Sequence, residues 1–197
     1  MITGWKAETA FLDPMCGSGT IPVEAALIAS DIPAGRFRQF YGFQRWRDYN
    51  EELYSKVRKE SESKAHIPQI RIYASDISEN SVSMTRTNVE SAGLSDIISI
   101  SKNDFSDVEA SDNEGIIVMN PPYGQRIVSE DNVKLYGMIG STLKHKFPGY
   151  QAWLISSDKD SLKQVGLKPA KKTVLYNGSL ECVLVKYELY QGSKKGK

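Results

Sequence analysis

The sequence predicts an α/β fold: a mostly parallel seven-stranded sheet with helices on both faces, closed by an antiparallel hairpin. Three observations predict it. Short apolar runs alternate with helix-forming segments from Phe11 to Val165, the pattern of a parallel sheet. Gly115-Ile116-Ile117-Val118-Met119 is the most apolar run, the mark of a central strand buried on both faces. Asn177-Gly178, between Lys171–Leu175 and Leu180–Leu189, is the strongest short hairpin signal in the chain.

Composition sets the bounds. At 197 residues the chain suits one large domain, or a domain with an insertion. We expect one domain over 1–192, an arginine- and aromatic-rich insertion at about 31–69, and a basic, disordered tail at 193–197. A hydrophobic content of 40% can fill a core, and the mean hydropathy of -0.39 reads as soluble. No apolar run approaches the ~20 residues of a membrane helix, and no secretory signal opens the chain. Cys16 and Cys182 lie far apart, and His66 and His145 join no ligand cluster, so no metal is expected. Cysteine usage suits a reducing cytosol, a cytoplasmic setting. A net charge of +1 announces no nucleic-acid partner, so evidence for one must be local.

Taken in order, Met1 to Thr9 reads as the end of a longer element, with Gly4 as a helix cap lacking its helix. Phe11-Leu12-Asp13 is a strand, and Pro14-Met15-Cys16-Gly17-Ser18-Gly19-Thr20 a tight loop. The helix Ile21–Ala29 carries Pro22 in its first turn, where a missing N–H costs nothing, and turns Val23, Ala26 and Leu27 to the sheet. Two glycines at a strand–helix corner let backbone N–H groups approach a small polar cofactor. No Gly-Lys-Ser/Thr makes this a phosphate loop, and no third glycine makes it a dinucleotide loop.

The insertion opens with the turn Ile32-Pro33-Ala34-Gly35, then mixes arginines with aromatics from Arg36 to Arg47. Its aromatics are expected to form a small core of their own, under a charged helix from Asp48 to Lys64 striped by Leu53, Tyr54 and Val57. Arg36 and Arg38 are candidate RNA phosphate contacts. Gln69–Asp76 is the second strand, and Ser78 or its neighbour caps a helix Glu79–Ala92 that Gly93 ends. Ile97–Ser101 is the third strand and Gly115–Met119 the fourth. Helix Asn132–Lys146, strand Ala152–Ser156, a short helix Asp158–Val165 and the hairpin complete the chain.

In such a sheet, ligands bind beyond the carboxyl ends of the strands. Four of those ends carry polar groups. The first gives Asp13 and the glycine loop. The second gives Asp76-Ile77, a carboxylate suited to the two hydroxyls of a ribose. The third gives Asp104-Phe105, an acceptor for an exocyclic amine beside an aromatic face. The fourth gives Asn120-Pro121-Pro122-Tyr123. A single aspartate is more often a cap or turn former, but four such ends on one edge point to a site.

These residues resemble the class I S-adenosylmethionine-dependent methyltransferases, whose fold is Rossmann-like. Asp13 to Thr20, the insertion from Pro33 to Trp46, Asn120 to Arg126 and Tyr176 to Glu181 together resemble the bacterial 23S ribosomal RNA guanine-N2 methyltransferases. That family carries an RNA-binding THUMP domain and a helical lead-in, neither of which this sequence contains. The resemblance implies S-adenosyl-L-methionine held by Asp13, Pro14, Cys16, Gly17, Ser18, Gly19, Thr20, Asp76, Ile77, Asp104, Phe105 and Asn120. It implies catalysis by Asn120, Pro121 and Tyr123, and RNA, ribosomal RNA above all, contacted by Arg36, Arg38 and Arg126.

The residue types suit the chemistry. A guanine N2 is a poor nucleophile because its lone pair is delocalised into the ring. The Asn120 side-chain oxygen and Pro121 carbonyl each accept one N–H of that amine, aiming its lone pair, while two prolines stiffen the loop. Tyr123 stacks on the base. Methylation of transfer-RNA guanine N2, adenine N6 or protein glutamine N5 stays open, as does a non-catalytic RNA-binding module of the same fold.

Overall fold

The computed structural model describes residues 2–122 and 129–190. Seven strands form one sheet in the order β3-β2-β1-β4-β5-β7-β6. They are β1 (Ala10–Asp13), β2 (Ile72–Asp76), β3 (Ile98–Lys102), β4 (Gly115–Met119), β5 (Gln151–Ser156), β6 (Lys171–Asn177) and β7 (Leu180–Glu188). The first five strands pair in parallel, while β7 runs antiparallel to both β5 and β6. The chain steps outward from β1 to β3, then returns to place β4 on the other side of β1. The strand order therefore reverses between β1 and β4, where ligands collect in open α/β sheets.

Each face of the sheet has its own apolar cluster. One packs Phe11, Ile72, Ile116 and Trp153 against Ala25, Ala26 and Leu27 of α1 (Thr20–Ala29) and Val89 of α3 (Glu79–Ser91). The other packs Leu12, Ile117, Met119 and Leu154 against Tyr136, Ile139 and Leu143 of α4 (Ser129–Lys146) and Leu162 of α5 (Lys159–Gln164). Neighbouring residues of one strand serve opposite faces, which is why β1 and β4 read as continuous apolar runs. Within α1 the buried face falls on Pro22, Ala25, Ala26, Leu27 and Ala29, while the expected Val23 is half-buried.

Caps set the helix ends. Ser78 starts α3 by accepting from Ser81 N, and Asp158 starts α5 by accepting from Asp160 N and Ser161 N. The hairpin turns one residue later than the sequence signal. Asn177 pairs with Leu180, so the two-residue loop is Gly178-Ser179, with Gly178 at φ 63. Glycine first in a two-residue loop matches the right-handed twist of the flanking strands.

The insertion does contain a small aromatic core. Phe43 lies 5.3 Å from Tyr41 and 5.5 Å from Tyr54 between ring centroids, and Tyr49 closes the group. Its helix α2 (Glu51–Glu62), capped by Asn50, buries none of its residues: Leu53 and Val57 are exposed. That apolar stripe is too narrow to anchor the helix to the sheet.

Candidate active site

The glycine loop between β1 and α1 is fixed from two sides. Its own turn closes with Gly19 N donating to Cys16 O at 2.8 Å. From β2, Ser75 O accepts from Cys16 N and the Asp76 carboxylate accepts from Gly17 N, both at 3.0 Å. From α3, Thr85 Oγ1 donates to Gly17 O at 3.0 Å and Asn88 Nδ2 to Ser18 O at 2.8 Å. The Thr85 hydroxyl spends its only proton on Gly17, so the Cys16 thiol, 3.4 Å away, donates to Thr85.

Both glycines are required. Gly17 and Gly19 sit at φ 57 and φ 84, where side chains are strained. A Cβ on Gly19 would stand 2.8 Å from Thr85 Cγ2, whereas one on Gly17 meets no protein atom within 4 Å. The backbone at Gly17 is thus bare, with open space in front of it.

That space belongs to a cleft of about 350 Å³ across the carboxyl ends of β1 to β4. The structure brings seven sequence-predicted residues to its wall: Pro14, Gly17, Asp76, Ile77, Asp104, Phe105 and Asn120. Asp76 uses Oδ1 to accept from Ser78 N at 2.8 Å, and its other oxygen holds Gly17 N. A carboxylate offers about four acceptor sites, so each oxygen keeps one for a ligand hydroxyl. Asp104 caps a one-turn 3-10 segment, Phe105–Asp107, through Oδ1 and Ser106 N. The Phe105 ring is 2% exposed and stacks on Phe147, so most of its surface serves the core. Asn120, first residue beyond β4, is exposed, and Pro121 behind it is buried.

The remaining predicted residues stand elsewhere. Asp13, Cys16, Ser18, Gly19 and Thr20 do not line the cleft; they shape the loop behind it. Asp13 is fully buried, with Oδ1 accepting from Met15 N and Oδ2 without a partner. Burial pushes its pKa up to about 8 against the lowering effect of the Met15 N–H, and the nearby Asp76 charge adds to the rise. Burial likewise pushes the Cys16 thiol to about 11, so it stays protonated and packs rather than reacts. Arg36 and Arg38 are exposed on the insertion. Tyr123 and Arg126 lie outside the described residues.

Sequence reasoning missed Met15, Ser81, Asn103, Pro122, Leu135 and Met138, all of which line the cleft. Asn103 and Pro122 adjoin predicted residues and were findable by position. Leu135 and Met138 belong to the apolar face of α4, where wall and core share one pattern. A larger cavity, about 690 Å³, opens between α5 and the hairpin, yet it shares no residue with the cleft and receives none of the predicted ones. Chemistry rather than size selects the cleft. Among the described residues no group of His, Cys, Asp and Glu could hold a metal ion, and no helix is long and apolar enough to cross a membrane.

Comparison with known proteins shows the family. The chain is 34% identical over 199 residues to the ribosomal RNA large subunit methyltransferase K/L of Shewanella frigidimarina, covering 98% of this chain and 28% of that protein. The same protein from Shewanella oneidensis matches to the same extent. Among solved structures, SMU.472, provisionally assigned as a methyltransferase and solved with SAH, superposes with a TM-score of 0.88 at 30% identity, over 98% of this chain and 51% of that one. A Listeria monocytogenes protein, assigned by prediction as an N6-adenine-specific DNA methylase, gives a TM-score of 0.83 at 31% identity, over 95% and 48%. The chain thus spans just over a quarter of the curated relatives and about half of these solved chains. A family model described as RMKL-like, methyltransferase domain, matches residues 1–186. By that match, its strand order and its cleft, the chain belongs to the family of RMKL-like methyltransferase domains.

Proposed function

We propose that this chain is an S-adenosylmethionine-dependent methyltransferase acting on the exocyclic N2 amine of a guanine in RNA, with 23S ribosomal RNA as the substrate. The observation that carries the reading is the single cleft that joins the bare Gly17 backbone and Asp76 to Asn120. At about 350 Å³ it suits a small-molecule ligand. The relatives named as ribosomal RNA methyltransferases support RNA as the substrate class. Residues 1–192 would form one domain, and the setting would be cytoplasmic.

The residues present fit the cofactor. Asp76 supplies free acceptor sites for ribose hydroxyls, Asp104 an acceptor for an amine, and Ile77 an apolar side chain 65% exposed at the cleft. When bound, S-adenosylmethionine supplies a methyl group on a sulfonium, already an excellent leaving group. The protein's task is then to position the amine in line with that methyl group. Asn120 Oδ1 and the Pro121 carbonyl accept the two N–H groups and turn the nitrogen lone pair outward. Pro121 and Pro122 hold these acceptors in place before the substrate arrives. Tyr123 stacks on the base, and Arg36, Arg38 and Arg126 meet phosphates. The nitrogen, cationic once methylated, is strongly acidic and would shed its extra proton to solvent water, so no side chain with a pKa near neutrality is needed.

The test is transfer of labelled methyl to ribosomal RNA lacking the modification, followed by nucleoside mass spectrometry, with cofactor binding followed by calorimetry. N2-methylguanine in the product supports the reading. N6-methyladenine, or methyl transfer to protein glutamine alone, refutes the substrate, and absent cofactor binding refutes the enzyme.

A further inference from the structure

We infer that the insertion carries a stacking platform for a single-stranded stretch of RNA, built on Phe37, Phe40 and Trp46, none of which lines the cleft. The insertion's aromatics divide into two sets. Tyr41, Phe43, Tyr49 and Tyr54 face one another and form its small core. Phe37, Phe40 and Trp46 keep 52%, 52% and 68% of their surface exposed, although the Trp46 ring rests edge-on against Phe43 at 6.4 Å between centroids. Three large exposed rings within ten residues exceed the scatter of single apolar residues on ordinary surfaces.

The surface is held in shape. Tyr41 donates its hydroxyl to Gly35 O at 2.9 Å and its backbone N–H to Gln44 Oε1 at 2.7 Å, pinning both ends of the loop that bears Phe37 and Phe40. Trp46 N donates to Phe43 O at 3.0 Å, which ties the backbone beneath the third ring to the same frame. The backbone that carries the rings is therefore ordered before binding, which lowers that part of the ordering cost.

Charge identifies the occupant. From Ile32 to Arg47 the segment has four arginines, Arg36, Arg38, Arg45 and Arg47, and no acidic residue. Among the described residues none of the four joins an ion pair, and all four are exposed. The Arg45 guanidinium lies over the Phe40 ring, 5.0 Å from its centroid, so a cation already stands beside one of the exposed rings. A protein partner would have to desolvate these guanidinium groups, and charged residues are depleted from protein interface cores. A nucleic-acid strand supplies both complements at once: phosphates for the arginines and unpaired base faces for the rings. The choice of RNA over DNA rests on the proposed function; the stacking chemistry does not.

The test uses the intact chain and an oligoadenylate RNA of ~12 nucleotides, within the usual range for single-strand sites. Trp46 is its own reporter, because the other two tryptophans, Trp5 and Trp153, are buried at 8% and 2%. Oligoadenylate should quench Trp46 fluorescence, and an RNA duplex of equal length should do so far less. Trp46→Ala should weaken binding about 5- to 150-fold, with Trp46→Tyr recovering most of the loss. Arg36→Ala should lower the slope of log affinity against log salt by about 0.7. Wild-type affinity in Trp46→Ala, equal binding of duplex and single strand, or quenching by anionic lipid vesicles but not by RNA would each overturn the inference. Binding is read without cofactor, so a chain that grips oligoadenylate through Trp46 yet binds no S-adenosylmethionine refutes the proposed function and leaves this surface standing.

Discussion

Asp13 should make this protein less stable as pH rises from about 5 to about 8, and Asp13→Asn should remove that dependence. The carboxyl is 0% exposed, and one oxygen has no partner, so its charged form is disfavoured and its pKa stands at about 8. In the unfolded chain it titrates at about 4. Below pH ~4 both states hold the proton and the residue contributes no pH dependence. Between the two values the folded state keeps a proton that the unfolded state releases, so stability falls with rising pH. Each pH unit costs about 1.4 kcal/mol, so from pH 5 to pH 8 the wild type loses on the order of 4 kcal/mol through this group. That is a large share of the roughly 5–15 kcal/mol that holds a domain together. Asparagine keeps an oxygen for Met15 N and does not titrate. Its buried amide adds a constant cost of about 1–3 kcal/mol, which does not vary with pH. Urea unfolding of both proteins at several pH values across this window measures the difference. Stability curves that run parallel within about 0.5 kcal/mol would falsify the assignment of a protonated Asp13.

Three further outcomes follow from the geometry. Asp76→Ala removes the proposed ribose acceptor and the partner of Gly17 N, so calorimetry should show S-adenosylmethionine affinity reduced by about 2–4 kcal/mol, and unchanged affinity refutes the role. Asn120→Ala leaves the loop intact, so cofactor affinity should persist while methyl transfer falls roughly a hundredfold or more; a wild-type rate makes Asn120 a structural corner only. Gly19→Ala combines a left-handed backbone with a Cβ only 2.8 Å from Thr85, so thermal unfolding should show a loss of at least about 1–2 kcal/mol, and a silent substitution would mean the loop can shift.

Much of the sheet was legible because parallel strands are buried on both faces and read as apolar runs, as β4 does. The hairpin was legible in existence and off by one in register. Asn177-Gly178 and Gly178-Ser179 are both acceptable two-residue loops that keep the same strand faces inward, so face patterning does not separate them, and the structure pairs Asn177 with Leu180. The insertion was harder. A short segment of aromatics gives no period that separates rings facing each other from rings facing solvent, so Phe43 and Trp46 look alike in sequence and differ in burial.

The site divides along a similar line. What one strand end delivers could be read locally: Asp76 ends its strand, Asp104 and Asn120 follow theirs within two residues, and all three reach the cleft. What two distant elements share could not. Thr85 and Asn88 lie mid-helix, 68 and 70 residues beyond the carbonyls they hold, and neither carries a motif. Yet they decide how the glycine loop stands. Gly17 O and Ser18 O are tied to α3, so the loop amides turn toward β2, where Asp76 takes one of them. The same carboxylate therefore shapes the loop and faces the cleft. Its two oxygens each hold one backbone N–H, and neither can swing away without releasing a partner. Asp76 is thus positioned before any ligand arrives, a geometry that lowers the ordering cost of binding. The turn former that an isolated aspartate suggests, and the acceptor that the proposed site requires, are here one residue in one conformation.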